Sequence, residues 1–186
     1  MPEADRTKWD ARYRAEGGAS EPSRFLASLD AVLPRAGRAL DVGGGAGRNA
    51  IWLARRGLSV TLADISPVGL ALAQARAREA GVEIVTLAID LAREPLPAGP
   101  WDVIVQFHYL ERPLFAQYAN ALAPGGLLVV EHPTRTNLSR HEKPGAAFLL
   151  DDGELPGLCA GLSIETYEEG WNEAGRHEAR LIARRP

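Results

Sequence analysis

Asp41, Asp64 and Asp90 each stand where an apolar run of this 186-residue chain gives way to a turn. The first leads directly into a glycine loop, Val42-Gly43-Gly44-Gly45-Ala46-Gly47-Arg48-Asn49. Glycine at 43, 45 and 47 permits positive φ and lets a ligand approach bare main chain. Free amides at the start of the following helix can bind an anionic group. Such a loop suits a nucleotide-like cofactor. A dinucleotide fingerprint needs glycine at its first, third and sixth positions, and the sixth counted from Gly43 is Arg48. The third glycine comes early, at Gly47. Asp41 ahead of the loop would repel a pyrophosphate and suits a cofactor with cationic groups. Gln106 and His108, after the apolar run that starts at Trp101, are the other polar residues in comparable places.

These residues need a scaffold that gathers the ends of several strands, and repeated strand-helix units supply one. Residues 38–42 read as a strand, 48–56 as a helix stopped by Gly57, and 58–63 as a second strand. Ser66-Pro67 reads as an N-cap followed by an N1 proline. Val68, Ala71, Leu72 and Ala75 then form the predicted buried face of a helix that ends at Gly81. Strands follow at 82–89 and 101–107, joined by a link with three prolines that leaves little room for a helix. A helix at 113–122 and the turn Pro124-Gly125-Gly126 lead to a fifth strand at 127–130. Strand-helix repeats give a parallel sheet with right-handed crossovers. Ligands bind such sheets at the carboxyl ends of the strands, where Asp41, Asp64, Asp90, Gln106 and His108 fall. The C-terminal third reads as a loop at 145–150, a helix at 153–162, and two strands, 163–167 and 177–183, around a turn. At the N-terminus, 7–16 reads as a helix with Trp9 and Tyr13 on one face. Ser23 caps a second helix whose apolar stripe is Phe25, Leu26, Leu29, Val32 and Leu33.

Length suits a single domain over 1–186. It divides into N-terminal helices at 1–36, a cofactor-binding half at 37–135 and a substrate-side half at 136–186. No apolar run approaches the ~18 residues of a membrane span, and the polar start Met1 to Arg6 has no signal-peptide core. The lone cysteine, Cys159, excludes an intrachain disulfide and a thiolate-cluster metal site. The expectation is a cytoplasmic protein, monomer or homodimer, with no metal and no membrane partner. A net charge of −3 provides no basic footprint for nucleic acid.

Asp-x-Gly-x-Gly-x-Gly at 41–47 resembles the first motif of the Rossmann-like S-adenosylmethionine methyltransferases. Other segments resemble the tellurite-resistance branch, near the thiopurine methyltransferases. These are Trp9-Asp10-Ala11-Arg12-Tyr13, Gly47-Arg48-Asn49, Pro124-Gly125-Gly126, Phe148 to Leu155, Tyr167 to Trp171 and Ala183-Arg184-Arg185. The resemblance implies a three-layer αβα Rossmann-like sandwich with a seven-stranded, mostly parallel sheet and an antiparallel closing strand. It implies a cofactor cradle of Gly43, Gly44, Gly45, Gly47 and Asn49, with Arg48 reaching the cofactor carboxylate. Asp64 would accept from the ribose hydroxyls, with Ile65 as a wall for the adenine. Asp90 would accept from the adenine amine, with Leu91 on the ring and Gln106 nearby. Trp9 and Tyr13 would form part of a lid. Plainer roles stay open: a helix cap for Asp64, a solvent-facing loop acid for Asp90, orientation of loop amides for Asp41, a solvent-facing position for Arg48, and for Trp9 and Tyr13 a helix docked on the core by two aromatics.

Methyl transfer is an in-line displacement at a sulfonium carbon, where proximity and orientation contribute ~7–11 kcal/mol. A thiolate acceptor needs no base, whereas a hydroxyl or amine does. His108 is the first candidate base by position and His132 the second; a hydrogen-bonded rim histidine is the alternative for both. The fourth strand ends in Gln106-Phe107-His108-Tyr109 and lacks the Asn/Asp-Pro-Pro-aromatic sequence of amino-methylating nucleic-acid enzymes. The expected function is methylation of a small molecule (a thiol, a metalloid oxyanion or similar), with S-adenosylhomocysteine as the other product. One alternative is an NAD(P)-dependent oxidoreductase. It is weakened by the missing glycine and by lysines only at 8 and 143, which form no Tyr-x-x-x-Lys pair. A non-catalytic S-adenosylmethionine-binding protein is the other.

Overall fold

The structure, a computed structural model, describes residues 2–186. Its seven strands are β1 (Arg38–Val42), β2 (Ser59–Asp64), β3 (Ile84–Ala88), β4 (Trp101–Phe107), β5 (Leu122–Pro133), β6 (Ser163–Trp171) and β7 (His177–Arg184). They form one sheet in the order β3-β2-β1-β4-β5-β7-β6. Only β7 runs against the others, paired antiparallel with β5 on one side and β6 on the other. The helices are α1 (Pro2–Glu16), α2 (Arg24–Ser28), α3 (Arg48–Arg55), α4 (Pro67–Glu79), α5 (Arg112–Ala121) and α6 (Leu155–Leu158). One core packs Leu26, Leu53, Leu70 and Ala73 of α2 to α4 against Val103, Val105, Val129 and Ile182 of the sheet. The other packs Leu114, Phe115, Tyr118 and Leu155 of α5 and α6 against Leu40, Ile104, Leu128 and Leu181. The result is the αβα sandwich with one antiparallel strand. The order reverses between β1 and β4, and Val42 pairs with both Ala63 and Gln106, so three strand ends lie level at the switch.

Several elements differ from their predicted extents. α4 buries Gly69, Leu70, Ala73 and Ala77, not the predicted Val68, Ala71, Leu72 and Ala75. The helix is apolar or small almost all round, so periodicity does not select a face. Close approach does: a Cβ on Gly47 would lie 2.7 Å from the Ala73 Cβ, so the small side of α4 meets the loop. Gly47 itself caps α3 at φ 81, a conformation that a side chain would strain. α1 begins earlier than predicted, at Pro2, and α6 is one turn where 153–162 was predicted helical. Ser23 does cap α2, accepting from Phe25 and Leu26 N–H, but α2 ends at Ser28. Beyond it Leu29 and Leu33 stay buried while Val32 faces outward, 49% exposed. No helix among the described residues is long and apolar enough to cross a membrane.

Candidate active site

The glycine loop is shaped by two carboxylates. Asp41 is 1% exposed, and its Oδ2 accepts the Ala50 N–H at 3.0 Å, in the first turn of α3. Burial pushes its carboxyl up to about 7, against the opposing pull of the Ala50 bond and the Arg48 charge. Gly44 lies on this carboxylate: a Cβ there would sit 2.5 Å from Asp41 Cγ. Asp64, at the end of β2, accepts Gly45 N–H at 2.9 Å with Oδ2 and Ser66 N–H at 2.8 Å with Oδ1. The cap of α4 is Ser66, whose Oγ accepts Gly69 N–H, so Asp64 is not that helix's cap. The Ile65 N–H also bears on this carboxylate, and of about four acceptor positions one stays for a ligand. Burial raises its pKa too.

α1 lies across this loop. Asp10 Oδ1 accepts Ser66 O–H at 2.5 Å and Val68 N–H at 3.4 Å, which docks α1 on the start of α4. The Tyr13 phenol lies over Gly45 and its ring against Gly69, with Trp9 stacked 6.0 Å away. Burial and the nearby Asp64 carboxylate raise the Tyr13 pKa, so it stays a neutral phenol. Arg76 of α4 then ties down the chain after α1, donating to the carbonyls of Gly17, Gly18, Ala19 and Ala46. Tyr109 closes the other side, its ring against Gly43.

The remaining predicted contacts divide. Ile65 and Arg48 are half-buried beside the loop. Asp90 is half-buried two residues beyond β3, and its Oδ1 accepts Ala92 N–H at 3.2 Å. Leu91 is 5% exposed within the α5-side core. Gln106 does not line the cleft as expected. It is fully buried, donates from Nε2 to Tyr109 O at 2.7 Å and accepts the Tyr118 hydroxyl on Oε1. Both ends of its amide thus brace the turn that carries His108. Asn49 also has a structural bond, accepting Ser23 N–H at 2.9 Å.

His108 follows β4 with φ 57, in the left-handed region. Its N–H donates to Glu131 O at 3.0 Å. Its Nε2 lies 3.4 Å from Glu131 Oε1 and 3.6 Å from Glu178 Oε1. Glu131 pairs in register with Phe107 of β4 and with Arg180 of β7, and Glu178 lies two residues before Arg180 on the same face. His132 is a different case. It is 3% exposed, its Nε2 meets Phe148 O at 2.9 Å, and burial pulls its pKa down to about 4. It is a neutral interior histidine.

Residues 39–126 contain the glycine loop, the three aspartates and His108, and they match the family described as a methyltransferase domain. The match spans just under half of the chain and makes this segment similar to that family. The sheet has the Rossmann-like fold of solved methyltransferases. Among curated proteins, the ubiquinone biosynthesis O-methyltransferase of Caulobacter sp. (strain K31) is 32% identical over 149 residues, 75% of this chain and 54% of that protein. The chain spans about half the length of the curated relatives it matches. Among solved structures, TehB from Haemophilus influenzae superposes with a TM-score of 0.74 at 18% identity, covering 96% of this chain and 67% of that one. Magnesium protoporphyrin IX methyltransferase from Synechocystis PCC 6803, with bound SAH, superposes with a TM-score of 0.75 at 20% identity, covering 100% and 99%. These likenesses carry the fold.

Around the glycine loop and His108, sequence reasoning missed Asp10, Arg76, Tyr109, Glu131, Glu178 and Arg180. Asp10 lay inside the Trp9-to-Tyr13 segment already singled out. Glu131 interrupts the apolar run Leu127 to Val130, a signal that a carboxylate enters a buried strand. The others become visible only when strands and helices are assembled.

Proposed function

We propose that this chain transfers the methyl group of S-adenosylmethionine to a hydroxyl of a small molecule, leaving S-adenosylhomocysteine. Asp64 would receive the ribose on its remaining acceptor position. Asp41 would face the cationic end of the cofactor, with the glycine loop beneath it and α1 above. Asp90 and Ile65 would border the adenine. The observation that carries the acceptor side is His108, held after β4 against two buried carboxylates. A thiolate needs no group to manage its proton, whereas a hydroxyl does. This grouping therefore favours a hydroxyl over the thiol or metalloid oxyanion implied by the resemblance.

Calorimetric titration with S-adenosylhomocysteine and with NAD tests the cofactor. Heat with the first and none with the second is expected; the reverse would refute the reading. Transfer of labelled methyl to a panel of phenols, alcohols, thiols and metalloid oxyanions tests the acceptor. Label appearing only in the thiols or oxyanions would refute the hydroxyl assignment.

A further inference from the structure

The acceptor side gathers its polar atoms more tightly than proton handling requires. One ligating atom each of His108, Glu131 and Glu178 lies within 4.8 Å of the other two, and His108 Nε2 faces Oε1 of both glutamates. Ligands held ~2.1 Å from a small divalent cation stand ~3.0–3.4 Å apart in tetrahedral or octahedral geometry. The separations of 3.4 and 3.6 Å from His108 therefore need to close by only tenths of an ångström.

Arg180 sets this arrangement. Its Nε donates to Glu131 Oε2 at 2.9 Å and its Nη2 to Glu178 Oε2 at 3.4 Å. Holding both Oε2 atoms turns both Oε1 atoms toward His108. Ser23 O–H donates to Glu131 Oε1 at 2.9 Å, and the Asn172 side-chain amide Nδ2 to Glu178 Oε2 at 2.6 Å. Such outer hydrogen bonds are what orient ligating carboxylates at metal centres. Among the described residues, Glu178 Oε1 accepts no hydrogen bond. It belongs to a side chain only 4% exposed, and it points at His108.

Charge points the same way. Two carboxylates, 6% and 4% exposed, face one guanidinium. With a neutral imidazole the cluster carries −1, and an uncompensated buried charge is costly. No other lysine or arginine among the described residues lies within ion-pair distance of either glutamate.

We infer that His108, Glu131 and Glu178 bind a divalent cation that accepts nitrogen and oxygen ligands, such as Zn²⁺, Co²⁺ or Mn²⁺. The sequence alone predicts no metal. Three protein ligands leave a position open for the acceptor, and the inference on catalysis rests on the proposed methyl transfer to a hydroxyl. The cation lowers the pKa of the oxygen it binds. The acceptor O–H releases its proton to solvent. An oxygen lone pair then forms the C–O bond as the C–S bond breaks, and the C–S electron pair stays on sulfur as S-adenosylhomocysteine. His108 acts here as a ligand through Nε2, in place of the free base predicted from its position.

The test uses the full chain, freed of metal with EDTA and titrated with CoCl₂ while visible d–d absorption is followed. Wild type is compared with Glu178→Gln and His108→Gln, and S-adenosylhomocysteine calorimetry on each protein reports folding of the cofactor side. Saturable binding of one equivalent is expected, weakened about tenfold or more in both variants, with S-adenosylhomocysteine affinity retained. No saturable Co²⁺ signal from wild type would overturn the inference, as would binding that both substitutions leave unchanged. Co²⁺ binding in a protein that ignores S-adenosylhomocysteine would support the ion site and sink the methyl-transfer reading. Methyl transfer insensitive to EDTA, in a protein that does bind Co²⁺, would overturn the ion's catalytic part alone.

Discussion

With the cationic end of the cofactor at Asp41, as proposed, cofactor binding becomes a proton-linked event. Its carboxyl is raised by burial from 3.8 to about 7. The folded protein therefore holds a proton that the unfolded chain has released. Stability from this group is complete below about pH 4 and is lost as pH rises through 7, by roughly 4 kcal/mol at ~1.36 kcal/mol per pH unit. A cationic ligand beside Asp41 favours the ionised form and reverses that preference. If Asp41 is fully ionised in the complex, affinity scales with the ionised share of the free protein. That share rises from ~3% at pH 5.5 to ~75% at pH 7.5, so the dissociation constant of S-adenosylmethionine should tighten ~25-fold across this range. Calorimetry in two buffers of different ionisation enthalpy should count about 0.7 to 0.8 protons released per ligand near pH 6.5. Asp41→Asn removes the titrating group and should flatten both readings, after any titration of the ligand itself is subtracted. A wild-type dissociation constant that follows the Asp41→Asn curve, with no proton released, would refute the placement of the cofactor's cationic end at Asp41.

Asp64→Ala should weaken S-adenosylmethionine binding tenfold or more, as loss of charge-assisted hydrogen bonds requires; an unchanged dissociation constant would overturn the ribose assignment. Tyr118→Phe leaves buried Gln106 Oε1 without its donor and should cost ~1–3 kcal/mol in urea unfolding; a neutral result would mean that the turn before His108 is not braced in this way. Gly47→Ala places a Cβ 2.7 Å from that of Ala73 at a φ of 81. It should lower stability by ~1–3 kcal/mol, read as a fall in Tm, and weaken binding of S-adenosylhomocysteine.

How far the sequence speaks depends on how local the cause is. β1 and β4 occupy their predicted ranges, Arg38–Val42 and Trp101–Phe107. Both are central strands covered on two faces, and their apolar runs end abruptly. Ser66 and Pro67 marked the start of α4 because an N-cap hydroxyl and an N1 proline act within one turn. The buried face of α4 was not legible, because it is chosen by contact with Gly47, which lies before β2 in the chain and meets Ala73. Gln106 was read as a ligand contact because an amide in an apolar strand is unusual. Its real partner, Tyr118, lies on α5, and no spacing rule connects the two. His108 was visible as a residue after a strand. The carboxylates that define its chemistry come from β5 and β7, whose pairing of Glu131 with Arg180 is a matter of register.

Arg76 holds the stretch from Gly17 to Ala19 by its carbonyls, whereas α1 itself rests on the Asp10 contacts and the Tyr13 ring. Lifting α1 can break the second set and leave the first intact. α1 would then be a strap clamped at its base, at Gly17 and Gly18, whose φ of 68 and 69 set the turn there. Closure of such a strap is a unimolecular event. The helix always returns from a short distance, at an effective concentration set by the few residues between clamp and contact. A chain cut between Glu16 and Gly17 would keep every residue of the sheet and yet lose that advantage, recovering α1 only as a separate ligand supplied in excess.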